Sequence, residues 1–264
     1  MEYQELLLKH EGAVAVVTLN RPDVLNALSP RLMLEFVDVL ETTAKDNGTR
    51  VLVVTGAGRG FCSGADLAAL ESGGLDSDQR WLNLEPVSYF GLIAKTLGQY
   101  DKPVIAAVNG VAAGAGFAIT MGCDIRIASE TARFSAIFVK RALAPDTGAS
   151  YYLPRLVPMS RAAEMLLTGD LIDVQEAERI GLVSRIVPAD QLLTSAMDLA
   201  GRIAAEAPLA VELAKKAMRR SLSNTLDAQL DYEGWAQGIC LNSRDAQEGR
   251  RAFLEKRPPQ YEGR

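Results

Sequence analysis

The chain has 264 residues, 48% hydrophobic and 23% charged, with a formal net charge of −5, enough to bury a large core as one domain or as a main domain with an appendage. The acidic balance excludes nucleic acid as a bulk partner, because duplex binding needs a basic footprint. Three cysteines without paired spacing support neither a disulfide framework nor a metal site.

No cationic start followed by an apolar stretch precedes the first strand, and no uncharged apolar run is long enough to span a bilayer. A cytoplasmic protein without a membrane partner is therefore expected. Residues 3–8 and 13–19 alternate or run apolar and predict a strand pair, with Lys9-His10-Glu11-Gly12 as the turn between them. The single histidine thus falls in a solvated turn, so any chemistry has to run on carboxylates, hydroxyls and backbone donors. Asn20-Arg21-Pro22-Asp23 breaks the pair. Ser29 then predicts a helix with Pro30 at its first position, running through Leu32, Phe36, Val37 and Leu40 to a stop at Asn47-Gly48.

Two strand–glycine turn–helix units follow. The first runs from Val51-Leu52-Val53-Val54-Thr55 into Gly56-Ala57-Gly58-Arg59-Gly60-Phe61-Cys62-Ser63-Gly64-Ala65-Asp66-Leu67. Between the units, Glu71 to Asp78 reads as a mobile polar loop and residues 79–99 as a helix. The second unit runs from Val104-Ile105-Ala106-Ala107-Val108 into Asn109-Gly110-Val111-Ala112-Ala113-Gly114-Ala115-Gly116-Phe117. Further strands are expected at 123–128 and 183–187, and from about 188 onward the pattern turns helical. Pro208 opens one helix through Met218, and Ser243 opens another that runs to Lys256. An α/β core over residues 1–195 with a helical segment over 196–264 is the expected division.

Small residues leave backbone N–H groups uncovered, and a helix start points such donors outward with a favourable dipole. Two glycine turns on neighbouring strands can aim one N–H each at a single oxygen carrying negative charge, which is an oxyanion hole. Competing readings fit less well. A dinucleotide fingerprint beginning at Gly56 puts Phe61 where the third glycine belongs. A phosphate-cradling loop lacks its Lys-Ser or Lys-Thr, and Ser63 has neither the flanking glycines nor a histidine for a serine hydrolase.

Both glycine segments resemble the oxyanion loops of the crotonase, or enoyl-CoA hydratase/isomerase, superfamily. Cys123 to Ala128, Leu167-Thr168-Gly169-Asp170, Ala177 to Val183 and the ending Glu248 to Arg257 resemble it too, in the expected order along nearly the whole chain. The resemblance implies a spiral of ββα units, a C-terminal helical trimerisation segment, a homotrimer or homohexamer, and an acyl-CoA thioester as ligand. Coenzyme A then enters as part of the substrate, with no separate cofactor. By motif position, the oxyanion donors are the backbone N–H groups of Ala65 and Ala115. Residues placed around coenzyme A or the acyl group are Arg21, Ala27, Asp66, Leu67, Phe117, Phe138, Phe253 and Lys256.

Hydratases of this superfamily use two glutamates to position water and move protons. The matching positions here are Ala118 and Phe138, so simple hydration is not expected. One carboxylate follows in Ala144-Pro145-Asp146-Thr147-Gly148-Ala149-Ser150, a segment that resembles the superfamily's double-bond isomerases, those of phenylacetate pathways in particular. A single base, Asp146, suffices for that reaction. An aspartate there can also cap a helix beginning near Thr147. A helix start favours its ionised form, and apolar neighbours Phe117, Ile137 and Phe138 oppose it. The implied activity is Δ3,Δ2-enoyl-CoA isomerisation. A hydratase or thioester hydrolase of the same fold, and an acyl-CoA binder without turnover, are the alternatives.

Overall fold

The computed structural model describes residues 3–71 and 89–264. The early hairpin comprises β1 (Leu6–Glu11) and β2 (Val14–Leu19), paired antiparallel with Leu6 opposite Leu19. His10 therefore lies in strand β1 opposite Ala15, not in the turn, which falls at Gly12 with φ of 60°. Helix α1 (Pro30–Lys45) starts where expected: the Ser29 hydroxyl accepts from the Leu32 N–H at 3.0 Å.

From β3 onward the chain repeats one manoeuvre, a strand in the main sheet followed by a short strand in a second sheet. The pairs are β3 (Val51–Gly56) with β4 (Gly60–Cys62), β5 (Val104–Val108) with β6 (Val111–Ala113), and β7 (Ile125–Ser129) with β8 (Arg133–Ser135). Helices α2 (Leu67–Glu71) and α3 (Tyr89–Gln99) follow the first pair, and α4 (Ala115–Gly122) follows the second. After the third pair come α5 (Ala149–Leu156) and α6 (Met159–Thr168), then β9 (Leu171–Asp173), α7 (Val174–Arg179) and β10 (Arg185–Val187). The main sheet has the order β1-β2-β3-β5-β7-β10 and the second β4-β6-β8-β9. Pairing is parallel except between β1 and β2 and between β8 and β9. This is the expected spiral of ββα units.

The central strands are apolar runs because both faces are covered. One core joins α1, α3 and α4 to one face of the main sheet through Phe36, Ile93 and Phe117. The other joins Val14, Val53, Ile105 and Ile127 to α8 (Leu192–Ala204) through Leu192, Ala196, Ala200 and Ala204, a stripe repeating every fourth residue. Because α8 lies against the sheet, the expected division at 195/196 falls inside a core helix, and the part beyond the sheet begins near residue 205. It contains α9 (Pro208–Arg220), α10 (Leu226–Leu241) and α11 (Arg244–Glu255). Strands β8 and β9, three residues each, escape a periodicity reading. Apart from Glu71, the expected loop over 71–78 and the first part of the helix over 79–99 lie outside the described residues.

Candidate active site

The first glycine turn is clamped by two asparagines. Nδ2 of Asn26 donates to the carbonyls of Ala57 (2.9 Å) and Gly60 (2.8 Å), while its Oδ1 accepts from the Arg21 N–H at 2.8 Å. Nδ2 of Asn109 donates to the carbonyls of Gly58 (2.9 Å) and Gly60 (3.1 Å), and its Oδ1 accepts from the Gly56 N–H at 3.1 Å. Asn26 is fully buried with φ of 56°, a left-handed conformation that asparagine tolerates. Sequence reasoning passed over it. Its signal is a polar residue inside the apolar run Leu25-Asn26-Ala27-Leu28, which has to find partners once buried.

The turn then delivers Ala65. Leu28 and Ala65 form an isolated parallel bridge, in which the Leu28 N–H donates to the Gly64 carbonyl (2.7 Å) and the Asp66 N–H to the Leu28 carbonyl (3.0 Å). Those bonds use the peptide groups flanking Ala65 and turn its own N–H away from the bridge. Ala115 is the first residue of α4, behind Gly114 with φ of 52°, so its N–H precedes the intrahelical ladder. Among the described residues neither N–H has an acceptor.

Glycine lets the two loops approach closely. A Cβ on Gly64 would sit 3.7 Å from the Ala115 nitrogen and 3.0 Å from the Ala113 oxygen, and φ of 104° disfavours any side chain there. A Cβ on Gly116 would collide with the backbone and Cβ of Cys62, so α4 lies directly against β4. Cys62 itself is buried, and that burial pushes its thiol up to about 12, which removes it as a nucleophile.

Downstream, Ile137 opens a 3-10 turn (Ile137–Arg141) beside the second loop, its Cγ2 lying 3.5 Å from where a Gly114 Cβ would be. The chain reaches Asp146 just before α5, which packs against α4. The possible capping role of Asp146 is not realised. Helix α5 begins at Ala149 behind Gly148, and no side chain bonds to its first amides. Instead the Thr147 hydroxyl donates to Oδ1 of Asp146 at 2.8 Å.

Of the opposing influences on this half-buried carboxyl, burial wins: it raises the pKa above the usual carboxylate value, against the Thr147 hydroxyl and the residue's own N–H. No charged side chain among the described residues is among the causes of that rise. Thr147 and Gly148 have φ of 52° and 78°, and the Ala149 N–H closes on the Asp146 carbonyl at 2.9 Å. Positive φ at both central residues is the type I′ pattern, which favours Gly, Asn or Asp. A β-branched residue held there carries strain on the order of 1–3 kcal/mol.

The remaining candidates fall into three groups. Arg21 is an internal brace: its guanidinium pairs with Glu5 at 3.2 Å and Asp66 at 2.8 Å and donates to the Ala27 carbonyl at 2.5 Å. Burial works against ionisation of Asp66, but the Ala69 N–H, Arg21 and the Ala68 N–H outweigh it and hold the carboxyl below its usual range. Asp66 thereby caps α2, whose first residue, Leu67, is exposed, while Ala27 is buried. Behind the second loop, Phe117 is fully buried against Phe134, and Ala118 and Phe138 are buried apolar side chains. Phe253 and Lys256 lie far along the chain at the end of α11, both exposed, with Lys256 as the left-handed cap. In α5, Tyr152 donates to the Ala94 carbonyl at 3.0 Å and Tyr151 lies under Arg155. Among the described residues no cluster of His, Cys, Asp or Glu is arranged to hold a metal ion, and no helix is long and apolar enough to cross a membrane.

Residues 9–264 match the family model for enoyl-CoA hydratase/isomerase. The chain belongs to that family. As a member of the enoyl-CoA hydratase/isomerase family, or crotonase superfamily, it is 38% identical to a short-chain-enoyl-CoA hydratase of Clostridium acetobutylicum, over 97% of each chain. It is 37% identical to the 1,2-epoxyphenylacetyl-CoA isomerase of Escherichia coli, over 98% of this chain and 99% of that one. The crystal structure of an enoyl-CoA hydratase from Bacillus anthracis superposes with a TM-score of 0.90 at 34% identity, over 99% of this chain and 100% of that one. The fold and the acyl-CoA-processing class of this family member follow, and its relatives carry both hydratase and isomerase names.

Proposed function

We propose that this protein is a Δ3,Δ2-enoyl-CoA isomerase with Asp146 as its single base. One observation carries the reading: Ala118 and Phe138, at the positions of the two hydratase glutamates, are buried apolar side chains, while Asp146 is a half-buried carboxyl without a cationic partner among the described residues. Alanine and phenylalanine neither hold nor deprotonate water. A lone carboxylate that accepts and returns one proton needs no water.

Asp146 takes a proton from C2 of a 3-enoyl thioester, and the electron pair moves onto the thioester oxygen to give a dienolate. The N–H groups of Ala65 and Ala115 hold that oxygen, preorganised by the loops rather than by solvent. The carboxylic acid then returns the proton to C4, which leaves the double bond between C2 and C3. Burial supports this use of Asp146, because a carboxyl with raised proton affinity retains the proton between the two transfers.

Coenzyme A enters as part of the substrate. Ala27, Asp66, Leu67, Phe253 and Lys256 are the residues proposed to border it, with Arg21 bracing the loop beneath. Phe253 and Leu254 are 83% and 80% exposed, and Leu226 and Trp235 are exposed with them. So much apolar surface on the C-terminal helices supports a homotrimer or homohexamer that covers part of it.

The test follows ultraviolet absorbance with a short 3-enoyl-CoA and, in parallel, a 2-enoyl-CoA. Conjugation growing from the 3-enoyl substrate, without loss of the 2-enoyl signal, is the expected result. Hydration of the 2-enoyl substrate, as in the Clostridium relative's name, would overturn the reading.

A further inference from the structure

Asp146 has one side-chain hydrogen bond among the described residues, and its donor sits in an unfavourable conformation. The Thr147 hydroxyl reaches Oδ1 at 2.8 Å from a residue that is 2% exposed and has φ of 52°. Glycine follows at once, so the chain has a residue suited to positive φ next door and still places threonine in the first left-handed position. A buried hydroxyl in a disfavoured turn, bonded to one oxygen of a carboxylate and leaving the other, is an arrangement with a purpose beyond packing.

We propose that Thr147 is a positioning residue of the site: its hydroxyl fixes Oδ1 of Asp146 and leaves Oδ2 to transfer the proton. The physical reason is geometric. A carboxylate shuttling a proton between two carbons two bonds apart has to keep one oxygen over both, and free rotation about χ2 would scatter it. The hydroxyl supplies the second anchor and also favours the ionised form against burial. Of the two groups that favour the ionised form, Thr147 has the larger effect and the residue's own N–H the smaller.

The inference rests on Asp146 being the base, so Asp146→Asn is measured first with the 3-enoyl-CoA. If that variant keeps near-wild-type turnover, the base assignment fails. With it inactive, Thr147→Val, Thr147→Gly and Thr147→Ser are compared across pH. Turnover requires ionised Asp146 and therefore falls as pH drops through its pKa. Removing a donor to the carboxylate raises that pKa, so the acid limb moves to higher pH. We expect an upward move of about one pH unit and about tenfold lower kcat in Thr147→Val and Thr147→Gly, with Thr147→Ser close to wild type. Glycine relieves the turn, so Thr147→Gly stays folded even if valine does not. Unmoved acid limbs and wild-type kcat in the folded donorless variants, with Asp146→Asn inactive, would overturn the inference alone.

Discussion

Two joints hold helices against strands of the core, and they are built from opposite materials. At the two glycine turns, α4 meets β4 where Gly116 lies against Cys62, and the neutral side chains of Asn26 and Asn109 clamp the first turn. At the other joint, α9 meets the start of β5 and β7 through charge. Lys215 pairs with Asp124 at 2.6 Å and donates to the Lys102 carbonyl at 2.5 Å, while Arg219 pairs with Asp124 at 3.0 Å. Asp124 also accepts the Val104 N–H at 2.8 Å, and Lys102 donates to the carbonyls of Thr43 and Asp46 at 2.6 Å each. The first joint has no room for an added atom, and the second no tolerance for a lost charge. The proposed reaction explains the contrast. A developing oxyanion needs donors without bulk, whereas a helix that leaves the sheet needs strong directional anchors.

The most damaging change for activity is expected at neither joint but at Asp146, the proposed base. Asp146→Asn should lower isomerisation by about 10²–10⁴-fold. It should also stabilise the fold. A carboxyl whose pKa is raised on folding loses stability as pH rises past its unfolded value, and asparagine removes that loss at neutral pH. Thermal melting together with turnover checks both signs.

Ala115→Pro comes next and probes the neutral joint. Proline is tolerated at the first helical position but deletes the N–H and fills the hole. A loss of about 10²–10³-fold in kcat is expected, with helical content by circular dichroism unchanged. Equal activity would remove Ala115 from the oxyanion hole.

For the charged joint, Lys215→Met should destabilise by about 3 kcal/mol, since it leaves Asp124 buried with one cation instead of two. Denaturant unfolding measures it. Gly116→Ala, the counterpart at the neutral joint, should cost about 1–3 kcal/mol through collision with Cys62 and reduce turnover as the loops separate. If Lys215→Met impaired the chemistry more than Gly116→Ala, the division of labour between the joints would be wrong.

The smallest effect is a slope. Burial lowers the Lys215 ammonium from 10.5 to about 8, although Asp124 pulls the other way. Between those values the unfolded chain binds more protons, so Lys215 makes stability rise with pH over that window. The difference in stability-versus-pH slope between wild type and Lys215→Met should show it.

Periodicity and punctuation were enough for the helix caps at Ser29 and Ser243, the buried runs at β3 and β5, and the two glycine turns, because each rests on contacts a few residues apart. The family resemblance, position by position, marked Asp146, Ala118 and Phe138 as the residues that decide the chemistry proposed here. Only the tertiary structure decided that Gly64 lies close to the Ala115 nitrogen, that Asn26 and Asn109 clamp the first turn, and that Arg21 is braced by Glu5 and Asp66. It also turned Asp146 away from the helix cap and onto the Thr147 hydroxyl, and drew α8 into the core across the expected division. The physical reason is range. Caps, turns and strand patterns are set by neighbours in the chain, whereas donors that converge, carboxylates that lose solvent and helices that cover a sheet depend on residues brought together from distant positions.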